Sequence, residues 1–253
     1  MLDTLFEDEL LLAVAKPAGM VVHPTYKNPD GTIVDALGAR AWPAGQRPSI
    51  VGRLDKLTSG VVIVAKTATA HAALQRALAS ADSVKEYVAV VYGRVDVERG
   101  EIDLRLAHDP ADRRRIVASP DVGRPSLTRF ERVAVADAAP VGASLLRCRL
   151  ATGRRHQIRV HLAARGWPIV GDPAYGEPRW RQIHDPAIAS VLRAFERQAL
   201  HASRVSFVHP ATRQRVSVAA PFPPDLDALV AALFRIGVQS PDADRPAGVR
   251  SSP

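Results

Sequence analysis

The chain is short of several things that would announce a chemistry. One of its 253 residues is cysteine, Cys148, which excludes an internal disulfide framework and any cysteine-rich zinc site. Long apolar runs are missing as well. Runs such as Leu10–Ala15 and Val61–Ala65 fall far short of the ~18 residues of a membrane span. There is no G-x-x-x-x-G-K-[ST] loop, no glycine-rich dinucleotide fingerprint after the first strand, no G-x-S-x-G elbow and no H-E-x-x-H. His156 and His161 are five apart, a spacing that does not put two ligands on one helical face. Nucleotide-driven, nicotinamide-dependent and zinc enzymes are disfavoured on these grounds, and no metal site is expected. The N-terminus carries Asp3, Glu7, Asp8 and Glu9, the wrong charge for a secretory or mitochondrial targeting segment. A cytoplasmic location without membrane attachment is the expectation.

Lysine is scarce too, and that shortage is informative. Only five of the 34 cationic residues are lysines, and the formal net charge is +8. Arginine offers a planar fork of donors that suits phosphate and stacks on bases, so RNA or DNA becomes a plausible partner. A source composition biased to arginine would raise it everywhere, but here the cations also cluster, at Arg113–Arg115 and within Arg147–Arg165.

What is present reads as one α+β domain. With 47% apolar and 24% charged residues the composition is that of an ordinary globular protein, large enough to need no staples. Val61–Ala65 is a β-branched, two-sided apolar run and is predicted as a buried strand. Thr67 is placed to cap a helix over Ala68–Leu78. Further strands are expected at Glu86–Tyr92, Leu127–Val135 and Ser144–Ala151, with a closing hairpin of Val205–Val208 and Arg215–Ala219. Helices are expected at Thr32–Ala41, Arg155–Ala164, Ala187–Gln198 and Leu226–Phe234, and Arg105–Pro125 reads as an exposed, arginine-rich loop. Residues 1–237 are assigned to the domain. Residues 238–253, rich in Ser, Pro, Asp and Arg, are assigned to a disordered tail.

Two segments stand out. Val51-Gly-Arg-Leu-Asp-Lys-Leu-Thr-Ser-Gly60 sets Asp55 between Arg53 and Lys56, directly before the buried strand. A turn aspartate with Gly60 relieving a positive φ would account for it. A working carboxylate at that strand edge would instead need a nearby cation, because burial raises a carboxylate's pKa and a cation lowers it. The second segment, Leu150–Arg165, runs from a strand through Thr152-Gly153 into a helix and carries Arg154, Arg155 and Arg159. Cations near a helix N-terminus oppose the macrodipole by about 0.3–1 kcal/mol each. An anion of the protein or of a ligand is therefore expected beside them. His161 reads equally well as a satisfied core histidine or as a ligand.

In order and spacing these segments resemble the RluA-type pseudouridine synthases. The match consists of Gly52-Arg-Leu-Asp-x-x-Thr-Ser-Gly60, Lys85-Glu-Tyr87 with Gly93, Thr152-Gly-Arg-x-His-Gln-Ile-Arg-x-His161, Pro168-Ile-x-Gly-Asp172, Tyr175-Gly176, Leu200-His-Ala202, His209-Pro210 and Pro221-x-Pro-x-Asp225. It spans roughly Glu7 to Asp225. The resemblance implies a mixed, mainly antiparallel sheet flanked by helices, with the active-site cleft across it. It implies an isomerase that flips a uridine out of structured RNA, breaks the N1–C1′ bond, turns the uracil and rejoins it through C5, with no cofactor. By the same resemblance Asp55 is the catalytic carboxylate, Arg154 the arginine that pairs with it, and Tyr87 the tyrosine that packs on the base. Leu200 lies in the apolar wall, Arg53 resembles a wedge, and Thr58, His156, Gln157 and Arg159 complete the substrate-binding set.

Arg113, Arg114, Arg115 and Arg124 are candidates for RNA contacts outside the site. Because the match begins near residue 1, the chain is expected in the single-domain subgroup, acting on tRNA, ribosomal RNA or both, as a monomer. Position 52 is glycine where many members of the family have histidine. Two rivals stay open: an inactive RNA-binding module of the same fold, and an RNA-cleaving enzyme using His156 and His161.

Overall fold

The computed structural model of the chain describes residues 2–234 apart from Thr25, Lys27, Asn28, Gly45 and Arg114. The expected tail, residues 238–253, lies outside the described residues. Among the described residues there are twelve strands: β1 (Asp3–Glu7), β2 (Leu11–Lys16), β3 (Ser49–Val51), β4 (Ser59–Ala65), β5 (Val84–Tyr92), β6 (Arg99–Asp103), β7 (Arg105–His108), β8 (Ile116–Ser119), β9 (Leu127–Ala136), β10 (Ala143–Leu150), β11 (Leu200–Val208) and β12 (Arg215–Ala219). The helices are α1 (Ile33–Gly38), α2 (Ala68–Ala79), α3 (Gln157–Ala164), α4 (Pro186–Ala194) and α5 (Pro224–Phe234), with a 3-10 turn at Arg179–Gln182. Ten strands form one sheet in the order β1-β2-β4-β11-β5-β10-β9-β6, with β3 on β4 and β12 on β11, while β7 and β8 pair separately.

The sheet is mixed through a single short contact. β11 runs parallel to β4 over His201↔Ser59 and Ala202↔Gly60 and antiparallel to β5 on its other side. From Arg204 onward β12 takes over the edge that β4 leaves, so the sheet forks where β4 and β11 begin. Gly60 is what permits the approach. Its φ is +118°, and a Cβ there would lie 2.2 Å from the Ala202 carbonyl oxygen, so a side chain is barred on both counts.

The two-sided burial expected of β4 is observed. Val61, Ile63 and Ala65 face a cluster with Ala70, Leu74 and Leu78 of α2. Val62 and Val64 face Ile33 and Leu37 of α1 on the other side. Burial of each Leu or Ile contributes about 1.5–3 kcal/mol. Thr67 caps α2, its Oγ1 accepting from the Ala70 N–H. The larger core packs β5 and β10 against Ile158 and Leu162 of α3, Leu192 of α4, and Leu226, Leu229 and Leu233 of α5.

The sequence reading needs three corrections. Residues 105–125 are not an open loop, because β7 and β8 form a hairpin whose Leu106 and Ile116 bury against Val160 of α3. Only two of its apolar side chains are buried, with Ala118 packed beside them, too few to show as a period among arginines. Helix α3 begins at Gln157, not Arg155, because His156 takes a left-handed conformation (φ 55°). Helix α4 ends at Ala194, leaving Phe195 to Ala199 as the approach to β11. Strands β1, β3 and β6 were not anticipated. Each has five residues or fewer, too short for alternation to register.

Candidate active site

Asp55 sits in the loop between β3 and β4, at the start of the fork. The loop is closed by the Thr58 N–H donating to the Asp55 carbonyl at 3.1 Å. It is held from beneath by Lys16, the last residue of β2 and 1% exposed. Lys16 Nζ donates to the carbonyls of Lys56 (2.9 Å), Met20 (2.8 Å) and Pro17 (2.9 Å). Burial pushes this ammonium down to about 7, with the nearby Asp55 charge acting in the opposite direction. Thr58 is buried, and its Oγ1 accepts from Gln198 Nε2 at 2.8 Å.

The cation that Asp55 meets is Arg159, not Arg154. Arg159 Nη1 donates to Asp55 Oδ2 at 2.9 Å, while its Nε and Nη2 hold Asp172 Oδ2 and Oδ1 at 2.7 and 2.8 Å. Asp172 Oδ1 also accepts from the N–H groups of Ala174 and Tyr175. The Arg159 fork beside the fully enclosed Asp172 offsets that carboxyl's burial and holds it below the usual range, and both carboxylates hold Arg159 above its own. The expected anion beside the helix start is therefore supplied by the protein.

Arg154 is exposed at the mouth of the cleft, with no side-chain partner among the described residues. The reason for the exchange is local. The left-handed turn at His156 delays the helix by two residues, which points Arg154 out and brings the first-turn residue Arg159 in.

Gln157 lines the cleft with its amide already engaged. Its Oε1 accepts from Thr152 Oγ1 and the Arg154 N–H, and its Nε2 donates to Leu127 O and Thr128 Oγ1. All the capacity of the amide is used inside the protein, so Gln157 shapes the turn. His161 is a satisfied core histidine, bonded to Thr128 Oγ1 and to the Leu104 carbonyl.

The remaining candidates converge. A cleft of about 360 Å³ is lined by Asp55, Tyr87, His156 and Thr58, by the apolar side chains of Leu54, Leu150, Ile158 and Leu200, and at its rim by Arg53 and Arg154. Tyr87, on β5, has no hydrogen-bond partner for its hydroxyl among the described residues. Burial, reinforced by the Asp55 charge, raises its phenol above the ordinary value, so it enters the cleft protonated. His156 lies with Nε2 3.8 Å from Asp55 Oδ1, and burial lowers it to about 4, leaving the ring neutral. Asp55 Oδ2 is occupied by Arg159, so Oδ1 is the oxygen presented to the cleft.

Arg113 and Arg115 are exposed on the turn of the β7–β8 hairpin, and Arg124 is exposed beside it, where its backbone pairs with Leu106. Arg114 lies outside the described residues. Among the described residues no cluster of three or more His, Cys, Asp or Glu could hold a metal ion. Asp172, Tyr175 and Lys16 were missed as parts of the site. Asp172 and Tyr175 were visible only as letters of a motif. The available signal for Lys16 was a charge continuing the buried alternation Leu12, Val14, Lys16 of β2.

The chain is similar to known proteins. The family model described as RNA pseudouridylate synthase matches residues 10–164. A ribosomal large subunit pseudouridine synthase D of Xylella fastidiosa is 44% identical over 238 residues, covering 92% of this chain and 69% of that protein. Its counterpart in Escherichia coli is 39% identical over 232 residues, covering 90% and 69%. Among solved structures, human RNA pseudouridylate synthase domain containing 1 superimposes with a TM-score of 0.70 at 26% identity, over 92% of this chain and 88% of that one.

Proposed function

The chain belongs to the RluA-type RNA pseudouridine synthases, isomerases that convert uridine in RNA to pseudouridine, and from that premise we propose that Asp55 carries the reaction on ribosomal RNA of the large subunit. The observation that carries the assignment is the half-occupied carboxylate. Arg159 holds Oδ2 and fixes the plane of the group, while Oδ1 faces a cleft with one polar wall and one apolar wall.

A uracil cannot turn about its own glycosidic bond while stacked. Extruding it costs about a few kcal/mol, and the cleft offsets this. Leu54, Leu150, Ile158 and Leu200 exchange apolar surface for stacked neighbours, and Tyr87 lies along the base. Arg53 at the rim fills the gap in the stack, and Arg154, Arg155 and the hairpin arginines hold phosphates. Asp55 Oδ1 then meets the sugar as the N1–C1′ bond breaks, and C5 bonds to C1′ once the uracil has turned. The hydrogen originally on C5 leaves to solvent while N1, freed of the sugar, takes up a proton, so the product is an isomer of the substrate. The names of the relatives favour ribosomal RNA as the substrate class. As an enzyme of that RNA it works in the cytoplasm, as a monomer whose partner is the RNA itself.

The test is tritium release from RNA transcribed with 5-tritiated uridine, offering large-subunit ribosomal RNA and tRNA separately, to wild type and Asp55→Ala. Release by wild type from the ribosomal RNA, and none by the variant with RNA binding retained, is expected. Release from tRNA alone would move the substrate. Release that survives Asp55→Ala would remove Asp55 from the chemistry.

A further inference from the structure

One side chain joins the Arg159–Asp172 pair, His156 and the β7–β8 hairpin and has no place in the reading above. Tyr175 follows the Asp172 turn, and its N–H donates to Asp172 Oδ1 at 3.1 Å. The guanidinium of Arg159 lies 5.1 Å from its ring centroid on one contact, and that of the exposed Arg115 lies 5.4 Å from it on another. Its hydroxyl accepts from the N–H of Ile116, the first residue of β8, at 2.9 Å and bonds His156 Nδ1 at 2.9 Å.

Ile116 donates to one lone pair of the phenol oxygen. The arrangement that leaves no hydrogen idle has the Tyr175 hydroxyl donating to His156 Nδ1. The neutral imidazole then carries its hydrogen on Nε2, the nitrogen 3.8 Å from Asp55 Oδ1. That separation is too long for a hydrogen bond, so the chain is complete except for its last link. His156 is also held left-handed, a conformation that a non-glycine residue keeps only when its surroundings demand it.

We propose that Tyr175 and His156 are positioning residues that relay the docking of RNA on the β7–β8 hairpin to the reacting oxygen of Asp55. An RNA phosphate drawn to Arg113 and Arg115 presses the hairpin toward Tyr175. The phenol and imidazole move as one bonded unit, and the Nε2–H closes on Oδ1. The carboxylate is then aligned when RNA is seated and less so when it is not. The inference rests on Asp55 carrying the reaction. It adds a link between recognition at the hairpin and chemistry in the cleft.

Tritium release from the large-subunit ribosomal RNA transcript, with kcat and KM separated, tests it. Tyr175→Phe keeps the ring and removes the hydroxyl. His156→Asn tolerates the left-handed backbone and can still accept from Tyr175, but lacks the nitrogen that faces Asp55. Each is expected to lower kcat by about 10–100-fold, the scale of a slightly misplaced reacting group, with KM near wild type; Tyr175→Phe also melts somewhat lower, because the Ile116 N–H loses its acceptor, so turnover is compared at a temperature where both variants are folded. The double variant falls no further than the lower single. Arg115→Ala lowers kcat in the wild-type background and leaves it unchanged in the Tyr175→Phe background.

A Tyr175→Phe enzyme with wild-type kcat, losses confined to KM, or losses that multiply in the double variant would each overturn the relay. Should Tyr175→Phe fail to fold, His156→Asn against Arg115→Ala gives the same cycle. Release lost in Asp55→Ala but intact in Tyr175→Phe sinks the relay alone. Release that survives Asp55→Ala sinks the assignment of Asp55 and the relay with it.

Discussion

Strand β5 carries Glu86 and Tyr87 side by side, and the pleat sends them to opposite faces of the sheet. On one face Tyr87 looks into the cleft toward Asp55. On the other, the enclosed Glu86 meets three arginines: Arg149 at 3.0 Å, Arg204 at 3.2 Å and Arg147 at 3.6 Å. Both faces therefore hold a carboxylate beside arginine, and only the stoichiometry differs. Both oxygens of Glu86 have cationic neighbours, and nothing about it is left to react. Asp55 has one arginine on one oxygen, and that arginine is itself anchored by Asp172. A carboxylate saturated by cations holds strands together, whereas one that is oriented but half-free is placed for chemistry.

The contrast can be broken most directly at the arginines. Arg159→Met removes the arginine bonded to Asp55 and strands Asp172 in the interior, an uncompensated buried charge that costs about 3–5 kcal/mol. Turnover should disappear along with that stability. Arg149→Met leaves Glu86 two arginines, and since the arginine is half-exposed its loss should cost under about 1 kcal/mol, with turnover intact. Urea unfolding and tritium release on the two variants decide the matter, and equal losses would end the distinction.

A smaller effect is expected from Glu86→Gln. The isosteric amide keeps some hydrogen bonds but leaves three like charges facing one another, a loss of about 1–3 kcal/mol. Turnover at a temperature where the variant is folded should stay near wild type. A large drop in kcat there would mean that the charge ladder reaches the site through β5.

The smallest effect is a slope with pH. Burial lowers His156 and His201 to about 4, so between about 6.5 and 4 the unfolded chain binds protons that the fold does not. Stability should therefore fall as pH falls through that window, by at most about 1.4 kcal/mol per pH unit for each histidine. The Glu86 cluster contains no histidine. His156→Asn should flatten the slope measured by urea unfolding at pH 7, 6 and 5, and Arg149→Met should leave it unchanged.

Much of this was legible in the chain. The two-sided burial of β4, the cap at Thr67, the β9–β10 pair and the β11–β12 hairpin all follow from local signals: β-branched runs, alternation and a threonine ahead of a helix. The Asp55 loop and the Leu150–Arg165 segment were recognisable because their residue types and spacing are specific, although the helix in the second begins two residues later than expected. The hairpin β7–β8 was not legible, since its anchors Leu106 and Ile116 depend on Val160 in a distant helix. Arg154 and Arg159 could not be told apart either, because both stand near the same helix start.

The sequence by itself determined the family and the class of reaction and singled out Asp55 as the candidate carboxylate, because these reside in short runs whose chemistry is local. Only the tertiary structure decided which arginine meets that aspartate, that the Gln157 amide is fully used, and that Lys16 holds the loop from beneath. Asp55 and Arg159 are separated by 104 residues. Their meeting depends on the fork at Gly60 and on a single left-handed residue that sets where α3 begins. Local pattern carries no record of either, because both arise from how distant strands cross.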